Sequence, residues 1–352
     1  VAALLALTGC DALTRAHGSD AASAAGELLA PAATPHPAPS PAPPLEPVPG
    51  LDLGLIRTAV VLDRLGFSPG VIDGKAGTSF ANAVRAFQQA QNLPRTGRID
   101  ARTAPFLARW PDLAATRLVT IPAAFAAGPF SPIPAGPAAQ AKLTALGYET
   151  LAEALAERFH TTTAVLAQLN PAGGLRAGLT VRVPNIGDPP LPVPALADKG
   201  WAQTLAALGV ATDQPQAAAI EVSKRTGSLA AFDKAGKLIA AFPATMGSRY
   251  DPLPLGRWKI VGVVRDPVFQ YNPRLFWDAR PGAKKAMLPP GPNGPVGVVW
   301  INLSKPHYGI HGTPHPDLIG RSESHGCIRL TNWDAARLAQ MVSQQTTVLF
   351  RR

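Results

Sequence analysis

From about residue 214 to the last strand the chain alternates apolar and polar residues with a period of two. "AAIEVSK" sets Ile220 and Val222 against Glu221 and Ser223, and "GSLAAFDKAGKLIAAFPATMG" reads as a hairpin about a glycine-containing turn. "GRWKIVGVV", "GVVWINL", "YGIHGT", "CIRL" and "TTVLF" continue the strand series. One segment breaks it. "TNWDAARLAQMVSQ" has helical spacing, with Thr331 as N-cap and Asp334 three residues on as a capping box. Residues 214–352 are therefore expected to form a mostly β domain with one late helix. The region before them keeps the helical period instead. "LIRTAVVLDRLGF" repeats Ile56, Val60, Val61 and Leu65 on one face, and "TSFANAVRAFQQAQ" repeats Phe80, Val84 and Phe87 behind Thr78 as N-cap. "GVID" at 70–73 returns as "GRID" at 97–100, so 51–110 reads as one small all-α unit. Within 141–190 a helix pair is followed by a turn and a strand at Leu179–Val183, a βααβ unit whose opening strand the pattern does not mark. The proline-containing stretches 111–140 and 191–213 read as linkers.

Composition narrows the class. Hydrophobic residues at 46% with 16% charged residues exclude an unfolded chain, and the 38 prolines cluster between the segments that look folded. Residues 31–50, "PAATPHPAPSPAPPLEPVPG", favour polyproline II, which at ~3.1 Å per residue reaches about 60 Å. Residues 11–50 are thus a stalk. A net charge of +10 calls for an anionic partner, yet no RNA- or DNA-binding signature or dense basic run accompanies it, so nucleic acid is not the expected one. Only two cysteines occur. Cys10 ends "VAALLALTGC", which reads as the late part of a secretory signal, shorn of its charged start. "LTGC" also resembles a bacterial lipobox, which implies lipidation at Cys10, a membrane-anchored lipoprotein and a periplasmic location. Cys327 then has no disulfide partner. An unpaired thiol in an oxidising compartment points to chemistry.

Cys327 lies in "SESHGCIRLTN", flanked by Ser324, His325, Gly326 and Arg329. His311 ends the strand in "YGIHGTP", sixteen residues earlier. Antiparallel or neighbouring strands would bring both side chains to one sheet edge, and a Cys–His pair in reach yields a thiolate–imidazolium nucleophile for a carbonyl. Gly326 frees the backbone to turn, so that the N–H groups of Gly326 and Cys327 can face a developing oxyanion. His311, His315, His325 and Cys327 also have the short spacings of zinc ligands, but no second cysteine pair accompanies them, and no metal or organic cofactor is expected. His307 and His315 read as loop residues. The irregular stretch 265–295 precedes the histidine strand and suits a lid. In it, Phe269, Tyr271, Phe276 and Trp277 are placed to cover a substrate or to form a satellite cluster, and Lys284 and Lys285 to meet carboxylates.

These motifs carry three resemblances. "GFSPGVIDGKAGTSFANAVRAFQQAQNLPRTGRID" resembles the three-helix peptidoglycan-binding domain, type 1. "AERFHTTTAVLAQLNP" and "VRVPN" resemble a LysM glycan-binding module. "IHGTPHPDLIGRSESHGCIRL", with "FPATMGSRYDPLPLGRWKI" and "LPPGPNGPVGVVWINL" upstream, resembles the YkuD-type L,D-transpeptidase catalytic domain. That resemblance implies Cys327 as nucleophile, His311 as proton donor and acceptor, and the backbone carbonyl of Gly312 as the group orienting its ring. It implies supporting roles for His325 and Gly326 on the oxyanion side. Substrate contacts are expected at Ser324, Arg329, Tyr271 and Trp277. The family often has Asn where this chain has Arg329, so the role of that position stays open. The implied partner is peptidoglycan: a stem tetrapeptide as acyl donor, and a diamino acid or a lipoprotein Lys as acceptor. Two rivals remain at this point, an L,D-carboxypeptidase or endopeptidase using the same pair, and a non-catalytic wall-binding lipoprotein.

Overall fold

Helix α1 (Leu53–Arg64) starts where Asp52 accepts a hydrogen bond from the Leu55 N–H at 3.0 Å, a cap that contributes about 1 kcal/mol. The computed structural model describes residues 47–187 and 199–352; Cys10 and most of the expected stalk lie outside the described residues. Ile56, Val60 and Val61 of α1 are buried, as are Phe80, Val84 and Phe87 of α2 (Thr78–Ala90). The N-cap of α2 is Gly77, not Thr78, and no side chain closes that end. A single turn, α3 (Ala104–Leu107), completes the helical unit.

The stretch 111–140, read above as a linker, carries a strand. β1 (Thr116–Thr120) is followed by two single-turn helices, α4 (Ala123–Ala126) and α5 (Pro137–Gln140). Then come α6 (Leu151–Arg158), α7 (Thr163–Leu169) and β2 (Thr180–Pro184), which pairs antiparallel with β1. The expected helix pair and closing strand are present within 141–190, but the strand that pairs with β2 lies outside that range, with α4 and α5 between it and α6. Arg117 and Thr120 break the apolar run of "TRLVT", which is why the pattern did not mark it. The second linker, 191–213, is likewise not one where it is described. Its helix α8 (Lys199–Ala207) and the turn after it bury Trp201, Leu205, Leu208 and Val210 in the core of the β domain.

That domain is built on one nine-stranded sheet. Its strands are β3 (Ala219–Ser223), β4 (Ser228–Phe232), β5 (Leu238–Pro243), β6 (Thr245–Met246) and β7 (Gly256–Arg265). A separate two-stranded ribbon of β8 (Phe269–Tyr271) and β9 (Ala286–Leu288) follows. β10 (Val299–Leu303), β11 (Gly309–His311), β12 (Ile328–Arg329), the helix α9 (Asn332–Met341) and β13 (Thr347–Arg351) end the chain. The sheet order is β5-β4-β3-β13-β7-β10-β11-β12-β6, parallel at β3–β13 and β11–β12 and antiparallel elsewhere. The stretch 265–295 is thus not structureless, because the β8–β9 ribbon organises it.

Helix α9 fixes how these parts join. Thr331 caps it by accepting from the Asp334 N–H at 3.2 Å, while the Asp334 carboxylate accepts from the Ser68 hydroxyl at 2.7 Å. Arg337 reaches α1 in a bidentate pair with Asp63, at 2.9 and 2.8 Å. His160 lies 3.1 Å from the same carboxylate and stacks on Trp333 at 4.9 Å. Removing one partner of such a buried pair costs about 3–5 kcal/mol. Edge strand β5 is covered by the loop after α1, where Ser68 N–H donates to the Ala241 carbonyl at 2.8 Å and Ala241 N–H to that of Gly66 at 3.0 Å.

Glu157 of α6 is buried at the same junction, accepting from Tyr148 Oη at 2.9 Å and from Asn332 Nδ2 at 3.0 Å. Burial pushes its carboxyl up to about 8, against the hydrogen bonds from Tyr148 and Asn332 that lower it. Between the ordinary value of 4.5 and 8 the folded chain holds a proton that the unfolded chain has released, so rising pH favours unfolding across that window. The urea midpoint is expected to fall over this range, and Glu157→Gln to flatten the fall. Parallel curves for the two proteins would show that Glu157 is ionised in the fold.

Candidate active site

β11 and β12 run parallel, with Ile310 opposite Ile328 and His311 opposite Arg329. Both isoleucines are buried in the core. Side chains alternate across a strand, so His311 and Arg329 face the opposite side together, and Cys327 immediately precedes β12. The fifteen residues between His311 and Cys327 therefore run back over the end of the sheet. β6 closes the other side of β12, with Met246 opposite Ile328 and Thr245 opposite Arg329.

His311 is only 4% exposed. Its Nδ1 lies 2.7 Å from the Gly312 carbonyl oxygen, to which it donates, leaving Nε2 as the free ring nitrogen. Trp300, its cross-strand partner on β10, stacks on the imidazole at 5.4 Å. Burial, together with the positive charge of Arg329, pushes His311 down to about 3, while the Gly312 hydrogen bond pulls the other way. Cys327 is half-buried, and its thiol donates to the His307 carbonyl at 3.6 Å. Burial raises the thiol above its ordinary 9.0, against a backbone hydrogen bond from Gly309 and the charge of Arg329. Both shifts favour the neutral forms. Each shift has the same cause, that the group lies where charge is poorly solvated.

The turn before Cys327 is held from three sides. Ser324 is buried; its hydroxyl donates to the Cys327 carbonyl at 2.6 Å and accepts from the Gly247 N–H at 2.7 Å. Expected to touch substrate, Ser324 instead has its hydroxyl engaged within the chain. Gly326 has φ +95°, and a Cβ there would meet Tyr308 Cε1 at 2.6 Å, so neither the backbone nor the space admits a side chain. His325 Nε2 bonds Asp278 Oδ1 at 2.8 Å, and the ring lies 4.9 Å from Phe276 and 5.6 Å from Trp277. This ties the turn to the tip of the β8–β9 ribbon. Tyr271 stacks on Phe276 at 5.4 Å, whereas Trp277 is 57% exposed and stacks on Tyr250 at 4.6 Å. Both belong to local aromatic contacts, Tyr271 with Phe276 and the more exposed Trp277 with Tyr250 and His325. Arg329 is half-buried and donates to the Glu323 carbonyl at 3.4 Å, while Lys284 and Lys285 are exposed.

Sequence reasoning missed Trp300, Tyr308, Asp278 and the His307 carbonyl. Trp300 alone had a legible signal, an aromatic in the strand "GVVWINL" next to the histidine strand. The others come from loops whose return to the site no periodicity encodes. A neutral resting thiol makes one prediction: iodoacetamide alkylation of Cys327 should keep accelerating past pH 9 as thiolate forms, measured by mass spectrometry. A rate already level at neutral pH would show a resting thiolate.

A family model for the "L,D-transpeptidase catalytic domain" matches residues 217–349, and one for a "Putative peptidoglycan binding domain" matches residues 61–107. "Putative L,D-transpeptidase YkuD" of Bacillus licheniformis is 31% identical over 203 residues, 57% of this chain and 92% of that protein. The Bacillus subtilis protein of the same name is 29% identical over 200 residues, 56% of this chain and 92% of its own length. Among solved structures, an L,D-transpeptidase from Mycobacterium smegmatis is 20% identical, with 38% of this chain and 58% of that chain covered at a TM-score of 0.31. A match of that level to nearly the whole Bacillus licheniformis protein makes this chain a member of the YkuD family of L,D-transpeptidases, cysteine acyltransferases of peptidoglycan, here with a peptidoglycan-binding domain N-terminal to the catalytic one.

Proposed function

We propose that Cys327 is the nucleophile and His311 the general base and acid of an acyl transfer between peptidoglycan stems. The Cys327 sulfur attacks the carbonyl at the L-centre of the third stem residue as its proton passes to His311 Nε2. The N–H groups of Gly326 and Cys327 receive the developing oxyanion. His311 then returns the proton to the departing D-Ala amine, leaving a thioester on Cys327. An amine of a second stem resolves it, with its proton taken by His311, and the product is a 3→3 cross-link. The observation that carries this reading is the parallel register of β11 and β12, which sets His311 opposite Arg329, two residues after Cys327. Support for the role of His311 is its Nδ1 bond to the Gly312 carbonyl, which leaves Nε2 for the thiol proton. His325, bonded to Asp278, is assigned to holding the ribbon over the turn, and Trp277 and Arg329 to the stem peptide.

The β1–α6–α7–β2 unit we read as a LysM-like glycan-binding module. The antiparallel pairing of β1 with β2 around the α6–α7 helix pair supports this. With Cys10 lipidated and residues 11–50 as stalk, the enzyme is placed as a periplasmic lipoprotein reaching the wall.

Digestion of treated sacculi and analysis of the muropeptides tests the chemistry. Cys327→Ala and His311→Ala should each lose at least about 10³-fold in product, because paired residues act as a unit. His325→Ala should lose about tenfold or less. Equal losses at both histidines would overturn the assignment of His311 as sole base, and release of D-Ala without cross-links would make the enzyme a carboxypeptidase.

Binding is tested on the full chain. A fragment ending near residue 190 would uncover Asp63 and Glu157 without Arg337 and Asn332. Full-length Cys327→Ala should pellet with purified sacculi, and pelleting should weaken as salt is raised, because the net charge of +10 meets stem carboxylates. Protein left in the supernatant at every salt concentration would reduce the N-terminal modules to spacers.

A further inference from the structure

We infer that Asn332 is a positioning residue for His311, holding the Gly312 peptide whose carbonyl orients the imidazole, and that Glu157 of the second helical module holds Asn332 in turn. The inference rests on the reading of His311 as the base.

Asn332 is fully buried at the first turn of α9. Its Oδ1 occupies space that a side chain would need on two separate loops. A Cβ on Gly312 would lie 2.2 Å from that oxygen, and a Cβ on Gly297 would lie 1.9 Å from it. The Gly297 Cβ would also come within 2.9 Å of the Gly312 backbone. Three elements therefore meet with no side chain between them: the strand end carrying the histidine, the loop leading into β10, and α9. Gly312 is the residue whose carbonyl takes the His311 Nδ1 proton at 2.7 Å. Any shift of the Asn332 amide is transmitted to that peptide plane by direct contact.

The other end of the amide sets which way it faces. Nδ2 donates to Glu157 Oε1 and Oε2 at 3.0 and 3.2 Å and to the Pro292 carbonyl at 3.0 Å. Turned over, the amide would set its oxygen against those acceptors and its NH₂ against the glycines. The surrounding loop is clamped to the same module: Leu146 N–H donates to the Pro290 carbonyl at 2.8 Å, and Asn293 Nδ2 to Glu153 Oε1 at 2.7 Å. The second helical module thus supports the catalytic histidine through one buried amide, in addition to any glycan it binds.

Histidine tautomers read by long-range ¹H–¹⁵N correlation in ¹⁵N-histidine-labelled full-length protein give a direct test. Wild type should show His311 with Nδ1 protonated and Nε2 free. Asn332→Ala should show mixed tautomers and a kcat lower by about 30-fold or more, with KM within about threefold, because a misaimed base harms the chemical step and not binding. Asn332→Asp alone replaces the Nδ2 donor with an oxygen that faces the Pro292 carbonyl, and should lose activity. Adding Glu157→Gln moves the donor to the other side of the pair and should recover about tenfold of that loss. This rescue keeps the test open if Asn332→Ala does not fold. Wild-type tautomers with unchanged kcat in Asn332→Ala would overturn the inference, as would a loss in KM alone or a swap without recovery. If His311→Ala is inactive while Asn332→Ala is normal, only this inference falls; an active His311→Ala would remove the reading beneath it.

Discussion

The parallel pairing of β11 with β12 is the constraint on which the site depends. Two short strands carry it, and their register is set by Ile310 and Ile328 seeking the core. A slip of one residue would bury Cys327 and expose an isoleucine, a loss of about 2–3 kcal/mol for the isoleucine alone. The chemistry is thus aligned by ordinary hydrophobic burial on the reverse face. The turn that enters β12 is pinned independently by Ser324 and by the close fit of Gly326 to Tyr308. His311 ends β11 and Cys327 immediately precedes β12, so each is tied to a strand whose isoleucine sits in the core.

The second organising element is α9, buried along nearly its whole length because it has neighbours on every side. Asn332, Trp333, Asp334 and Arg337 each touch a different part of the N-terminal half, so the helix joins the catalytic sheet to both smaller units. The contacts are largely polar and buried. Such contacts add little net stability, but they are costly to break and permit one arrangement of partners. Both smaller units are therefore packed against α9, and not strung beside the sheet on linkers.

Burial acts on both members of the site. His311 is stacked on Trp300 and Cys327 is half-buried, so the charged form of each is disfavoured. A protonated thiol is also slower to oxidise than a thiolate.

Much of this was readable along the chain. The apolar period separated a helical front from a β-rich rear, because burial repeats at 3.6 in one and at 2 in the other. Thr331 announced its helix, and the "SHGC" turn with His311 upstream announced a cysteine–histidine pair. What could not be read was whatever depends on meetings between distant segments. Nothing in "TRLVT" marks it as the partner of "TVRVP" sixty residues on, and nothing in "PGPNGP" says that it leans on α6. Asp63, His160 and Arg337 look like ordinary surface charges until the fold buries them together. The sequence by itself determined the local elements and the reactive residue types, since period, caps and side-chain chemistry are properties of neighbours along the chain. The tertiary structure alone decided the parallel register, the burial of His311 and the packing of Asn332 against Gly297 and Gly312. Those are set by desolvation and contact, which exist only once the chain has closed on itself.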